Sequence, residues 1–178
     1  MNNIFLTGER WNNYAGELLL EIKNMLLCDI GGYWVDVTRD DENKNIRVFD
    51  LTSLYDGERG NIFFKKDDSS GISKLNIDIF NTKGVEILER SFGRRVVFVL
   101  KEIGFLESKA KRFTNEVKKL LDSPKIVIAL VKSVSCTYID AVMAREDANL
   151  FKVTEENKDA VKQEILKLLI SLEVPLKI

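Results

Sequence analysis

The sequence predicts an α/β fold in which helices cover a mostly parallel sheet. Short apolar segments alternate along the chain with segments whose apolar residues recur at helical spacing, a pattern typical of strands joined by crossover helices. The first helix presents one apolar face, made of Leu18, Leu19, Ile22, Met25 and Leu26. With 178 residues, of which 45% are hydrophobic, the chain can build one substantial core. We therefore expect residues 1–178 to form a single domain.

An antiparallel insert is expected after the first strand and helix. Residues 3–7 form the first strand, and the first helix follows the loop at Gly8. The next three apolar segments are separated by polar turns, and they span residues 33–38, 46–51 and 61–64. This is the pattern of an antiparallel meander, so we predict an insert over residues 33–65. The Gly31-Gly32 pair is interpreted as the turn before it.

Strands and helices alternate again beyond the insert. Strands are predicted at residues 96–100, 126–131 and 150–153, and helices at residues 81–92, 109–121 and 137–145. Thr154 is predicted to cap a final helix. Ligands in such sheets bind at the C-terminal ends of the strands. The Gly8 loop and the Lys101-Glu102 pair both fall at such ends.

Composition excludes several classes of function. A net charge of −1 and a pI near 5.7 argue against broad nucleic-acid binding. The lysines between residues 109 and 119 are interpreted as a solvated helix face. The longest apolar run, residues 126–131, is far shorter than the roughly 20 residues that cross a bilayer. No signal-peptide pattern is present, so no membrane association is predicted and the protein is expected to be cytoplasmic.

Histidine and cysteine usage restricts the possible chemistry. The chain has no histidine, which rules out a Ser-His or Cys-His nucleophilic pair within it. Cys28 and Cys136 have no CxxC spacing, so they predict reduced thiols and no zinc site. Catalysis would have to use carboxylates, lysine or a metal ion.

The loop after the first strand has the position of a phosphate-binding loop without its usual side chains. A GxxxxGK[ST] loop uses glycines for a tight turn, a lysine against the phosphates and a hydroxyl on Mg²⁺. Aligned on Gly8, this chain has Asn13, Tyr14 and Ala15 at the glycine, lysine and hydroxyl positions. Trp11 either fills the phosphate cradle or packs over the N-terminus of the first helix.

Four segments of the chain resemble one known family, in order and in spacing: IFLTGERWNNYAGELLLEI, IGGYWVDV, VVFVLKEIGFLES and LFKVTEENKDAVKQEIL. The chain is similar to the cancer-related-type nucleoside-triphosphatases, which are small P-loop enzymes. The resemblance implies a three-layer P-loop NTPase-like fold over nearly the whole chain. It also implies hydrolysis of ATP, GTP and related nucleotides with Mg²⁺.

The resemblance assigns expected roles to individual residues. Members of the family carry an Asp-Glu-Ile-Gly segment, and this chain has Lys101 at the aspartate position followed by Glu102, the expected catalytic carboxylate if the protein is active. Asn157 corresponds to a segment near the nucleotide base, although it also suits a helix start. No metal ligands are predicted. The expected nucleotide-binding residues are Gly8, Glu9, Arg10, Asn12, Asn13, Tyr14, Ala15, Lys101 and Asn157.

The predicted function is a degenerate nucleoside-triphosphatase homologue, catalytically inactive or severely impaired, that serves as a nucleotide-binding, anion-binding or protein-interaction module. Its protein partner is unknown. We also advance the hypothesis that Lys101, with Arg10, replaces the loop lysine and the metal in weak binding of nucleotide or phosphate. The alternative is an active enzyme with a rebuilt site that uses Mg²⁺ with ATP or GTP. Otherwise no cofactor is expected.

Overall fold

A computed structural model describes residues 1–177. Within them the strands are β1 (Asn3–Thr7), β2 (Ile30–Arg39), β3 (Ile46–Ser53), β4 (Ile62–Asp67), β5 (Ser73–Leu75), β6 (Val97–Ile103), β7 (Ile126–Val131) and β8 (Ala148–Lys152). The helices are α1 (Tyr14–Met25), α2 (Val85–Phe92), α3 (Lys111–Leu121), α4 (Thr137–Met143) and α5 (Lys158–Ser171). A π-helical turn, Phe80–Gly84, leads directly into α2, so the predicted helix over 81–92 is divided in two.

The strands form one sheet in the order β5-β4-β3-β2-β6-β7-β1-β8. Pairing is parallel from β2 through β6, β7 and β1 to β8, and antiparallel from β2 through β3 and β4 to β5. This confirms the predicted α/β fold with a mostly parallel sheet and an antiparallel insert. Among residues 1–177, no helix combines the length and the apolar character needed to cross a membrane.

Two apolar layers cover the sheet and confirm the three-layer arrangement. On one face, Leu18 and Ile22 of α1 pack with Ile165 of α5. On the other face, Leu88 of α2 packs with Phe113 of α3. The parallel strands are apolar on both faces because helices cover both sides of the sheet.

The interpretation of Gly31-Gly32 as a turn is wrong, because both glycines lie inside β2. The first part of β2 pairs with β6, and its remainder pairs with β3. Gly32 has a φ of 98°, and a Cβ atom there would lie 2.2 Å from the carbonyl oxygen of Val99. The glycine therefore allows a close approach of two strands within the sheet.

The final helix begins later than the predicted Thr154 cap. Asn157 is the residue that precedes α5. Its side-chain Oδ1 accepts a hydrogen bond from the Thr154 N–H at 2.8 Å, and the Thr154 hydroxyl accepts one from the Asn157 N–H at 3.3 Å. These reciprocal bonds hold residues 154–157 as a turn, so the helix starts at Lys158.

The topology brings three strand ends together. Strands β6, β7 and β1 are neighbours in the sheet, and their parallel C-terminal ends lie at one edge. At the end of β6 the Lys101–Glu102 peptide bond is cis and the register with β7 shifts between Lys101 and Ile103. The backbone N–H of Lys132 donates to the Ile103 carbonyl at 3.0 Å, which fixes the chain just after β7 beside the end of β6.

Candidate nucleotide site

A small cleft lies at this edge, between the loop that follows β1 and the segment that follows β7. It has a cavity volume of about 50 Å³, room for on the order of three or four water molecules. The lining residues come from both segments: Gly8, Glu9, Arg10, Asn12, Asn13, Ala15, Gly16, Leu130, Val131, Lys132, Ser133 and Val134. Six of the sequence-predicted residues are thus brought together, from Gly8 through Ala15.

The loop is held by its own hydrogen bonds. The Asn12 N–H donates to the Glu9 carbonyl at 3.4 Å, and the Glu17 N–H donates to the Asn13 carbonyl at 2.9 Å. The Asn12 side-chain oxygen accepts a hydrogen bond from the Tyr14 N–H at 3.4 Å. The N-terminus of α1 faces the cleft, where its positive end favours an anion.

Tyr14 and Ala15 do not supply the groups that the loop pattern calls for. The Tyr14 side chain is absent from the cleft lining. Its hydroxyl lies beside Glu155, whose hydrogen-bonding interaction and negative charge raise the pKa of the phenol. Ala15 is 4% exposed and contributes only a methyl group. The first turn of α1 therefore brings no cationic or hydroxyl side chain into the cleft.

Trp11 occupies neither of its two expected positions. Its side chain is 81% exposed and does not line the cleft. It therefore neither fills the cradle nor packs over the N-terminus of α1.

Glu102 forms an ion pair with Lys132, a residue of the cleft that the sequence analysis did not single out. Its carboxylate oxygen Oε2 lies 3.2 Å from the Nζ atom of Lys132, and the two side chains are 25% and 51% exposed. Lys132 lines the cleft, whereas Glu102 does not. The lysine thus stands between the expected catalytic carboxylate and the site where a phosphate would lie.

Lys101 lies elsewhere. It pairs with Trp34 across β2 and β6, and its Nζ atom lies 4.8 Å from the centre of the Trp34 ring, a cation–π distance. Burial lowers the pKa of this half-buried lysine. Because Lys101 does not line the cleft, the structure does not bring it together with the loop.

The Asn157 side chain makes its hydrogen bonds within its own turn. Besides the bonds with Thr154, its Nδ2 atom donates to the Lys152 carbonyl at 2.9 Å. Both functional groups of the carboxamide therefore have partners inside the loop between β8 and α5. Asn157 does not line the cleft.

A buried carboxyl group supports the segment after β6. Glu107 is 4% exposed and accepts a hydrogen bond from the Gly104 N–H at 2.5 Å. Burial raises its pKa to about 7, and the charge of Glu102 acts in the same direction. Burial also raises the pKa values of Tyr33 and Tyr138, and the charge of Glu107 acts in the same direction; the Tyr33 hydroxyl donates a hydrogen bond to the Glu102 carbonyl at 3.2 Å.

Comparison with known proteins identifies the family. The family model described as NTPase matches residues 3–166. The chain belongs to the NTPase family. Nucleoside-triphosphatase THEP1 of Thermotoga sp. strain RQ2 is 32% identical over 155 residues, 85% of this chain and 87% of that protein. THEP1 of Thermotoga maritima strain MSB8 is 31% identical over the same shares of the two chains.

Solved structures agree with the NTPase assignment. The crystal structure of THEP1 from Aquifex aeolicus superposes with a TM-score of 0.74 at 25% identity, covering 94% of this chain and 98% of the other. The solution structure of a human cancer-related nucleoside triphosphatase has a TM-score of 0.68 at 19% identity, covering 96% and 98%. The human protein supports the fold alone.

The residues of this NTPase-family site do not fit Mg²⁺. Magnesium needs oxygen ligands in a near-octahedral arrangement, but Ala15 offers no hydroxyl. Lys101, at the family's aspartate position, has no carboxylate and does not line the cleft. Within residues 1–177, no three His, Cys, Asp or Glu side chains are grouped in a way that could hold a metal ion. The oxygen-bearing side chains among the lining residues are those of Glu9, Asn12 and Asn13 in the loop between β1 and α1 and of Ser133 after β7, and of these only Glu9 is a carboxylate.

Sequence reasoning missed the segment that follows β7 in this NTPase-family chain. Lys132, Ser133 and Val134 line the cleft, and the β7 strand itself was predicted at its observed bounds. The signal was available, because ligand sites lie at the C-terminal ends of parallel strands. Applying that rule to β7, as well as to β1 and β6, points directly to Lys132.

Proposed function

We propose that this NTPase-family chain binds nucleotide phosphate groups in the cleft weakly and that its hydrolytic activity is lost or severely impaired. The observation that carries the proposal is the first turn of α1. Tyr14 is directed toward Glu155, and Ala15 gives only a methyl group, so neither the charge nor the metal ligand of an active loop is supplied.

The energetic cost of these differences is large on the scale of ligand binding. A hydrogen bond to a charged group contributes about 1.5–3 kcal/mol, so losing the loop lysine alone weakens affinity roughly ten- to a hundredfold. The transition state of phosphoryl transfer depends on positioned cations and on Mg²⁺. Loss of both penalises hydrolysis more than binding, because their interactions are strongest in the transition state.

Several features still support phosphate binding. The N-terminus of α1 faces the cleft, and such helix ends favour anions. Two cationic side chains, Arg10 and Lys132, and one acidic side chain, Glu9, line the cleft among residues 1–177. The relatives from Thermotoga are nucleoside-triphosphatases by name, which makes a nucleoside triphosphate the ligand class to test.

Phosphate release from ATP and GTP tests the loss of hydrolysis. With Mg²⁺ present and protein stripped of carried-over nucleotide, we expect release at the rate of the buffer alone. The physical reason is that positions 14 and 15 supply neither the lysine nor the magnesium-binding hydroxyl that stabilise the transferred phosphoryl group in an active loop.

Glu102→Gln provides the control for this assay. Release above the buffer rate that disappears in Glu102→Gln would show that Glu102 orients an attacking water, and the chain would then be an active NTPase with a rebuilt site. Release that is equal in both proteins would point to a contaminating enzyme, since Glu102 is the carboxylate at the family's catalytic position.

A further inference from the structure

We propose that Lys132, released from Glu102, supplies the positive charge that holds the phosphate groups of a nucleoside triphosphate in this cleft without a metal ion. The inference rests on the proposed function and identifies the residue on which binding depends. The role that the sequence hypothesis assigned to Lys101 thus passes to Lys132, because Lys132 lines the cleft and Lys101 does not.

The position of Lys132 supports this role. Its backbone N–H is anchored to the Ile103 carbonyl at 3.0 Å, so the start of the side chain is fixed where β6 and β7 end. Lys132 borders the same cleft as Asn13, Ala15 and Gly16 at the N-terminus of α1, and its ammonium group lies beside Glu102 at the edge of that cleft. An anion in the cleft would therefore meet the helix end on one side and an ammonium group on the other.

The present partner of Lys132 is one that a phosphate can displace. The Lys132–Glu102 pair has a separation of 3.2 Å, and the lysine is 51% exposed. Exposed ion pairs contribute little to stability because water screens them, whereas a triphosphate offers several charged oxygens to the same ammonium group. The ion pair therefore keeps Lys132 beside the cleft, and the Glu102 carboxylate competes only weakly with a phosphate for its ammonium group.

Lys101 provides a matched control. It is also a lysine at a strand end in the same sheet, but its ammonium group lies 4.8 Å from the Trp34 ring centre, and it does not line the cleft. Removing it changes the net charge of the protein by the same amount as removing Lys132. A general electrostatic effect would therefore weaken binding equally in both variants.

The experiment is a calorimetric titration in EDTA with ATP and, separately, with inorganic triphosphate. We expect Lys132→Ala to weaken binding of both ligands by roughly tenfold or more, while Lys101→Ala binds as the unaltered protein does. Glu102→Gln should tighten binding up to roughly fivefold, because it frees the lysine from its competing carboxylate. Thermal melting of each variant verifies that the fold is intact.

Each other outcome contradicts a specific statement. Unchanged affinity in Lys132→Ala would overturn the inference and leave the proposed function standing, as would an equal loss in Lys101→Ala. Weaker binding in Glu102→Gln would also overturn it, because the carboxylate would then assist the ligand. If the unaltered protein binds neither ligand, the proposed function itself fails, and the inference fails with it.

Discussion

A protein that carries Tyr14→Lys and Ala15→Ser is expected to bind ATP in the presence of Mg²⁺ roughly ten- to a hundredfold more tightly than the unaltered chain. The lysine restores a charge-assisted contact with the phosphates, and the hydroxyl restores a magnesium ligand. Ala15 already lines the cleft, so a hydroxyl at that position faces the ligand.

The design must also remove one competing group. Glu155 lies beside the Tyr14 hydroxyl and would pair with a lysine placed at position 14. Glu155→Gln is therefore added, and the matched control carries Tyr14→Met, Ala15→Ser and Glu155→Gln. Calorimetric titration with Mg-ATP compares the two proteins. If the lysine protein binds no better than the methionine protein, the charge at position 14 is not what limits the site.

The second large effect concerns the stability of the fold as a function of pH. The pKa of Glu107 is raised from 4.5 to about 7, so the folded protein holds a proton there that the unfolded chain releases near 4.5. The stabilisation by neutral Glu107 is fully present below about pH 4.5 and is lost as pH rises through about 7. The shift corresponds to about 3 kcal/mol in the free energy of unfolding.

Glu107→Gln should remove this dependence. The glutamine stays neutral at every pH, and its oxygen can still accept the hydrogen bond from the Gly104 N–H. In urea unfolding from about pH 5 to about pH 8, the variant should gain stability relative to the unaltered chain as pH rises, by up to about 3 kcal/mol.

Glu164→Gln makes the same chemical change at an exposed position on α5 and should give a pH profile parallel to that of the unaltered protein. A parallel profile for Glu107→Gln as well would mean that Glu107 is ionised in the fold throughout this range. In that case the hydrogen bond from the Gly104 N–H would have to stabilise its charge.

The sequence was most informative where burial alone determines structure. Strand β7 and the apolar face of α1 could be predicted because their side chains are almost all buried in the two-sided core. The predicted turn at Gly31-Gly32 was wrong because glycines usually mark turns, whereas these two lie inside β2. Gly32 instead allows a close approach between β2 and the Val99 carbonyl on the neighbouring strand β6, a contact between residues distant in sequence.

The candidate site was predictable in its backbone but not in its charges. The loop from Gly8 to Ala15 forms one wall of the cleft as expected, since it follows the first strand directly. Which lysine reaches the cleft depends on side-chain direction. Lys101 lies against Trp34 on the neighbouring strand, whereas Lys132 lines the cleft and pairs with Glu102. Both sets of contacts depend on which strands are neighbours in the sheet, which local sequence does not show.

This NTPase-family chain is expected to bind nucleotide without using Mg²⁺. The most direct test is a calorimetric titration of the unaltered protein, stripped of nucleotide, with ATP in Mg²⁺ and in EDTA. We expect weak binding with the same affinity in both titrations, because Arg10, Lys132 and the helix end act on the phosphates directly, and Glu9 is the one carboxylate among the residues that line the cleft. Tight binding that requires Mg²⁺ would contradict the account and would show that other residues have rebuilt a metal-dependent site.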